Sequence, residues 1–375
     1  EFRRVLFRSG RMKRGLKPGA AMLGVMLFLA FRASMFAQTA RVHELPLKPE
    51  TVHWGYYDPK LAPALRVASG DRVRVETMVA GGLQRLRLAG VSESEIPDAL
   101  KMVEQRVTER GPGAHPMSGP IFISGAEPGD TLEVKILTIE FLHDFGVNAF
   151  SPGGGTVPDD FPYAGLKLFR WKPGATSVTF APGITLPLAP FFGSIGVAPP
   201  PLVGRISSRP PGYYGGNLDN KDLIAGSTIY LAIHVPGALL SIGDGHAMQG
   251  HGEVTGTALE TSLRGTFELR VIKNQRLKWP RAETPTHYMS IWLDPDLNIA
   301  AKMAIKEMLT FLTQTKGLSR EDAYMLMSAQ MDLHERLLAG VVARRVDVPF
   351  PGDHVVEAGA EPRVAGPKDA VDGGG

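Results

Sequence analysis

Apolar and polar positions alternate with a period of two in several separated stretches of this chain, the pattern of strands with one buried face. Over residues 41–80, "TVHWGYYD" (51–58) and "ALRVASGDRVRVETMV" (64–79) read as strands, with "SGD" turning between two alternating runs. "GPIFISGAEPGDTLEVKILTIEFL" (119–142) reads as strand, "EPGD" turn, strand. The span 227–272 reads as three strands with glycine-rich links. Residues 146–220, dense in Gly and Pro, read as a long loop region, and a loop of that length inside a domain usually carries function.

The period changes to that of a helix in two places. Residues 92–110 predict a short polar helix entered at Ser92, with Glu95 three residues later completing a capping box. From Asn298, "IAAKMAIKEMLTFLTQTKG" predicts a helix ending at Gly317. "LSREDAYMLMSAQMDLHERLLAG" predicts a second, capped by Ser319 with Asp322 three later and ending at Gly340. The Met and Leu stripe on both fits core packing. The expected fold is β-rich α+β, a β-sandwich-type core with a C-terminal helical pair, and the Gly, Pro and Ala of 351–375 predict a disordered tail.

Of the 375 residues, 43% are hydrophobic and 21% charged, as in soluble globular proteins with a sizeable core. The N-terminus needs separate treatment. "EFRRVLFRS" reads as translated sequencing adapter, so residues 1–11 are set aside from fold reasoning. Residues 12–40 read as a secretory signal. Lys13, Arg14 and Lys17 form a basic region, "AAMLGVMLFLAF" an apolar one, and small residues allow cleavage after Ala37 or Ala40. An uncleaved anchor is the other reading of this segment. Without residues 1–37 the chain has 33 basic and 37 acidic residues, a net charge of −4. Nothing in that balance suggests a nucleic-acid surface, and no membrane contact is expected after signal removal. The expected location is periplasmic or secreted. With no cysteine there is no disulfide, thiolate metal site or cysteine nucleophile. No G-x-S-x-G is present, and "SPGGGT" lacks the Gly-Lys-Ser/Thr of a P-loop.

One stretch gathers chemistry: "GDGHAMQGHGE", residues 243–253. In a strand, Asp244 and His246 at i and i+2 share a face, and carboxylate plus imidazole is a common metal-ligand pair. The turn "MQGHG" would bring Glu253 back opposite His246, where it could act as general base. The plainer alternative is a surface hairpin with polar side chains. His53 in "TVHWGYYD" and His115 in "GAHPMSGP" lie beside strands, where a histidine is more often a hydrogen-bonded structural residue. Asn217 and Asp219 in "GGNLDNKDL" suit a turn as well as they suit a site.

Taken in order, "HWGYYDP", "SGDRVRVET", "GPIFISGAEPGDTLEVKI", "PFFGSIGVAP", "GGNLDNKDL", "GALLSIGDGHAMQGHGEVTGTALE" and "SAQMDLHERLL" resemble the acetamidase/formamidase family over roughly residues 50–350. The resemblance implies one catalytic domain over 41–350, a β-rich sandwich, a homo-oligomer, and metal-assisted hydrolysis of a small linear amide to carboxylate and ammonia. On this reading Asp244, His246 and His53 hold a divalent metal, zinc first and calcium second. Glu253 is the general base, Asn217 and Asp219 orient the amide, and "PFFGSIG" walls the pocket. His251 departs from the family, which usually has Asp there, so it and His115 are positions to test. The rival reading is an exported non-catalytic β-sandwich that binds a metal or small ligand.

Overall fold

The computed structural model describes residues 41–336 and 340–344. The expected signal segment and tail lie outside these. Alternation does what it predicts in the first part of the chain. β1 (Val42–Leu45), β2 (Val52–Trp54), β3 (Tyr56–Tyr57), β4 (Leu65–Ala68) and β5 (Arg72–Glu76) precede two short helices, α1 (Leu83–Leu88) and α2 (Asp98–Arg106). In β5, Val73 and Val75 are buried while Arg72 and Arg74 face out.

The helix expected from Ser92 starts later. The backbone N–H of Ser92 does donate to Glu95 Oε2 at 3.0 Å, and Glu95 N–H to the Ser92 carbonyl at 3.0 Å. That closes a turn only, because Pro97 disfavours helical backbone at Ile96 and the helix begins after it. α1 was not expected: at six residues, its buried Leu83 and Leu86 are too few to show a period.

β6 (Pro116–Ser124) and β7 (Thr131–Phe141) are the two strands expected around the "EPGD" turn, which carries the chain from one sheet to the other. The span read as loop holds seven strands, β8 (Phe145–Phe150), β9 (Gly165–Arg170), β10 (Ser177–Ala181), β11 (Ile184–Pro187), β12 (Phe191–Gly196), β13 (Ile206–Ser207) and β14 (Gly215–Asn217). The three strands expected next are four: β15 (Thr228–Ala232), β16 (Leu240–Met248), β17 (Leu259–Thr261) and β18 (Leu263–Ile272), with β17 and β18 parted only by Ser262. Then come β19 (Arg281–Glu283), β20 (Tyr288–Leu293), α3 (Leu297–Gln314), α4 (Arg320–Gln330), β21 (Asp332–Arg336) and β22 (Gly340–Arg344).

The second C-terminal helix begins as expected, with Ser319 Oγ accepting from Asp322 N–H at 3.0 Å. It ends ten residues before Gly340, because Asp332–Arg336 pairs with β22 instead. Strand pairing at a sheet edge overrides the local helical period.

Two nine-stranded sheets face one another. One runs β1-β5-β18-β7-β15-β19-β20-β22-β21. The other runs β14-β12-β16-β17-β8-β9, with β6 also joined to β16 and carrying β2 and β4. The core between them takes Val73, Leu132, Ile229 and Phe267 from the first sheet and Ile121, Phe192, Ile195 and Ile242 from the second. The fold is therefore a β-sandwich with α elements, as expected. β16 is the strand that positions the site. It pairs with β12 from Ser241 to His246 on one side. On its other side it pairs with β6 up to Gly243 and with β17 from Gly245. The second sheet forks at Asp244.

Candidate functional site

At the fork, both flanking glycines are needed for close strand approach. A Cβ at Gly243 would lie 2.6 Å from the Pro116 carbonyl, and one at Gly245 2.9 Å from the Thr261 carbonyl. Asp244 between them has φ 58°, an unusual conformation for a residue with a Cβ. Its Oδ1 sits 3.3 Å from His246 Nε2.

His246 is the centre of the site. Its ring packs edge-on against its register partner Phe191, with centroids 4.9 Å apart. Its partner on the other side is Glu260 of β17, whose Oε2 lies 3.4 Å from Nε2. On the Nδ1 side, Asp219 Oδ1 lies 3.9 Å away. Asp219 is aimed by a polar relay: Ser194 Oγ donates to Asn217 Oδ1 at 2.9 Å, and Asn217 Nδ2 donates to Asp219 Oδ2 at 3.0 Å. Ser194 and Asn217 are register partners on β12 and β14, so the relay follows from strand pairing.

Two groups of three side chains share His246: Asp219, His246 and Glu253; and Asp244, His246 and Glu260. Within each, potential ligand atoms lie within 4.8 Å of one another. Gly193 forms the floor. A Cβ there would lie 2.5 Å from Asp244 Oδ2, 2.6 Å from Asp219 Oδ1 and 2.7 Å from His246 Cε1.

The electrostatics follow from crowding buried charge. Burial alone would raise the Asp244 carboxyl, but the imidazoles of His246 and His115 outweigh it and hold it at about 2. Burial would keep His246 neutral, yet Asp244 and Glu260 push it well above the ordinary histidine range. Burial pushes Asp219 well above the carboxylate range, and Glu253 and Asp244 add to it. Glu253 is pushed up to about 8 by burial and by Glu260 and Asp244, with His246 opposing. Four acids around one imidazole are expensive without a compensating cation. Neither ring nitrogen of His246, nor Glu260 Oε2, has an aligned hydrogen-bond partner. Buried donors with unmet bonding and converging carboxylates fit a divalent cation.

The cluster opens on a cavity of about 570 Å³, lined by His115, Asn217, Asp244, Glu253 and Glu260 among others. The acetamidase/formamidase family profile matches residues 44–208 and 203–352. The chain belongs to the acetamidase/formamidase family. It is 28% identical over 250 residues to a formamidase from Methylophilus methylotrophus, covering 53% of this chain and 58% of that protein. Its structure resembles that of an acetamidase from Bacillus halodurans at 33% identity and TM-score 0.67, covering 80% of this chain and 96% of that one. It resembles an acetamidase from Yersinia enterocolitica at 30% identity and TM-score 0.69, covering 82% and 92%. The chain spans about half to just under two thirds of the length of the curated relatives it matches.

Within this family member, the residues singled out from sequence scatter and regroup. Asp244, His246 and Glu253 come together, but Glu253 lies in the turn after β16 with φ 40°, and Glu260 takes the place opposite His246. Asp219 joins the ligand groups, while Asn217 orients it and lines the cavity. His53 is in neither group; its Nε2 is 2.9 Å from Ser241 Oγ, and burial lowers it to about 4. His115 stands at the edge, with Nδ1 3.0 Å from Ser208 Oγ and Nε2 3.9 Å from Asp244 Oδ2. His251 lies in the turn, its ring 4.5 Å from that of His334, and belongs to neither group. "PFFGSIG" is more than an apolar wall: Gly193 is the floor and Ser194 starts the relay. Glu260 and Gly193 were not singled out from sequence. Counting strand register back from His246 is the one signal that could have found Glu260.

Proposed function

We propose that this chain hydrolyses short linear amides to carboxylate and ammonia at the His246-centred cluster, with a divalent metal as cofactor. The observation that carries the reading is the set of converging carboxylates around a buried, unaligned imidazole, open to a cavity. Family membership supports the reaction class.

Asp244, His246 and Glu260 are one candidate ligand set, and Asp219, His246 and Glu253 the other. An ion held there would supply Lewis acidity to the amide carbonyl and the attacking water. One imidazole among carboxylates suits zinc; calcium, which takes oxygen ligands, would use the carboxylates without the imidazole. A cation beside Glu253 would offset the burial and neighbouring acids that raise its carboxyl; ionised at the border of the cavity, Glu253 takes the proton from the attacking water and delivers it to the leaving nitrogen as the C–N bond breaks. Asn217 has spent one N–H on Asp219 and one lone pair on Ser194. One N–H and one lone pair remain to orient the amide. Gly193 keeps the floor clear for all of them.

The same reading extends to an exported, periplasmic or secreted protein, since 12–40 has the order of a signal peptide, and to a homo-oligomer. The test is ammonia release from formamide, acetamide and propionamide by purified protein, before and after chelation. Activity that chelation abolishes and metal restores is expected. No ammonia from any amide with metal present would overturn the reading. N-terminal sequencing of protein from the native cell checks export, with a start near Gln38 or Arg41 expected.

A further inference from the structure

Formamide and acetamide have a handful of heavy atoms, and the cavity that receives them is about 570 Å³. Cavities of about 300–1,000 Å³ ordinarily hold much larger ligands. Its lining also carries both signs of charge, with Asp244, Glu253 and Glu260 on the one hand and Arg85 and Arg209 on the other. Arg85 is half-buried on α1, with its guanidinium folded so closely over Gly81 that a Cβ there would meet Cζ at 3.0 Å. Yet among the described residues the Arg85 guanidinium makes no ion pair and no hydrogen bond, unlike the nearby Arg87 and Arg110, which pair with Glu93 and Glu104.

A half-buried guanidinium in a cavity with its partners withheld is a receptor for an anion, and a planar carboxylate is the group whose geometry it matches. The acidic cluster would repel a carboxylate, so the anionic end of a ligand sorts to the arginines and its neutral end to the cluster. We propose that the substrate is an amide carrying a carboxylate at its far end, a monoamide of a dicarboxylic acid. Arg85 grips the carboxylate, Arg209 at the exposed rim steers it in, and the amide is delivered to His246 and Glu253. The inference rests on the amidase reading of the same site and narrows it to a substrate class. The remaining volume admits a methylene chain between the two ends, which neither formamide nor acetamide has.

The experiment compares malonamate, succinamate and glutaramate with neutral amides of matched length by ammonia release, in wild type, Arg85→Gln and Arg85→Lys. One member of the anionic series should exceed its neutral match in kcat/KM by about 10–100-fold, the usual worth of a charge-assisted pair. Arg85→Gln should bring that ratio close to one, mainly through KM, and Arg85→Lys should restore part of it. High added salt should lower the ratio as well. A ratio near one in wild type, with neutral amides hydrolysed, would overturn the anionic-tail proposal and leave the amidase reading standing. If no amide is hydrolysed, calorimetric titration with succinamate and glutaramate, which then stay intact, decides. Binding that Arg85→Gln weakens at least tenfold keeps the anion site while the amidase reading falls, and equal or absent binding overturns the site too.

Discussion

A single methyl group at Gly193 should disable the site without breaking the fold. Gly193 sits within β12 between Phe192 and Ser194, which pair with Gly245 and Gly243 of β16, and its backbone is ordinary strand rather than a conformation reserved for glycine. Alanine there costs nothing in backbone terms. Its Cβ would instead lie 2.5 Å from Asp244 Oδ2, 2.6 Å from Asp219 Oδ1 and 2.7 Å from His246 Cε1. Non-bonded atoms settle near about 3.5 Å, so each group must retreat by roughly 1 Å, or the strand must. None can swing away freely: Asp219 is tied to Asn217, His246 is packed on Phe191, and Asp244 is enclosed. Overpacking of this kind costs about 1–3 kcal/mol, which lowers Tm by a few degrees but leaves a folded protein. The effect on rate is larger, because displacing reacting groups by about 1 Å costs about 100-fold.

Ammonia release, elemental analysis and thermal unfolding of Gly193→Ala measure the three parts separately. The expected result is kcat/KM down by at least about 100-fold, lowered bound metal, and a modestly lower Tm. Gly250→Ala is the control, since its Cβ meets nothing within 4 Å; it should stay within a few-fold of wild type. Wild-type activity and metal content in Gly193→Ala would refute the idea that these three groups converge over the β12 backbone.

Asp244→Asn, His246→Ala and Glu260→Gln should each reduce bound metal by more than about tenfold, while His53→Gln should keep it. Full occupancy in the first three by elemental analysis would remove this ligand set. Glu253→Gln should retain metal while kcat falls by about 10²–10⁴-fold, the worth of a positioned base; loss of metal would make it a ligand, and an unchanged rate a turn residue. His53 titrates near 4 in the fold against about 6.5 in the unfolded chain. The unfolded chain therefore binds more protons at this residue between those values, so the contribution of His53 to stability is full above about pH 6.5 and declines as pH falls toward 4, by on the order of 3 kcal/mol. Urea unfolding at pH 7 and pH 4.5 should show that loss in wild type and a smaller one in His53→Gln; equal losses would sink the assignment.

The sandwich was legible because alternation is a local property. "RVRVE" and "TLEVKILTIEF" carry their own buried and exposed faces. The seven strands between Phe145 and Asn217 were not, since runs of two to six residues broken by Gly and Pro carry too little period. Asp244 and His246 stood out because glycines isolate them from any apolar face. Glu260 did not, because "ALETS" is an unremarkable strand and its role comes wholly from register. The strand returns at Leu259 after a ten-residue turn that holds Glu253, and a bulge between His246 and Met248 shifts the pairing by one residue, so Glu260 rather than Thr261 faces His246. His53 misled for the same reason. It lies on β2, beyond β6, and β6 leaves β16 before the candidate ligand groups begin.

That departure is what makes room for chemistry. A strand paired along both edges has its backbone groups committed and its side chains assigned to two faces. At Asp244 one partner has left and the next has not arrived, so the residue is free to turn to φ 58° and aim its carboxylate beside His246. Asp219 at φ 46° and Glu253 at φ 40° are turned likewise. Of the seven non-glycine residues with positive φ among those described, three are acids of this cluster. Each such conformation costs about 1–3 kcal/mol, and Asp219 and Glu253 are also held against the charge of neighbouring acids. The sandwich core must offset both. Glycine at any of the three would relieve the backbone but remove a carboxylate, so stability and activity oppose one another at these positions.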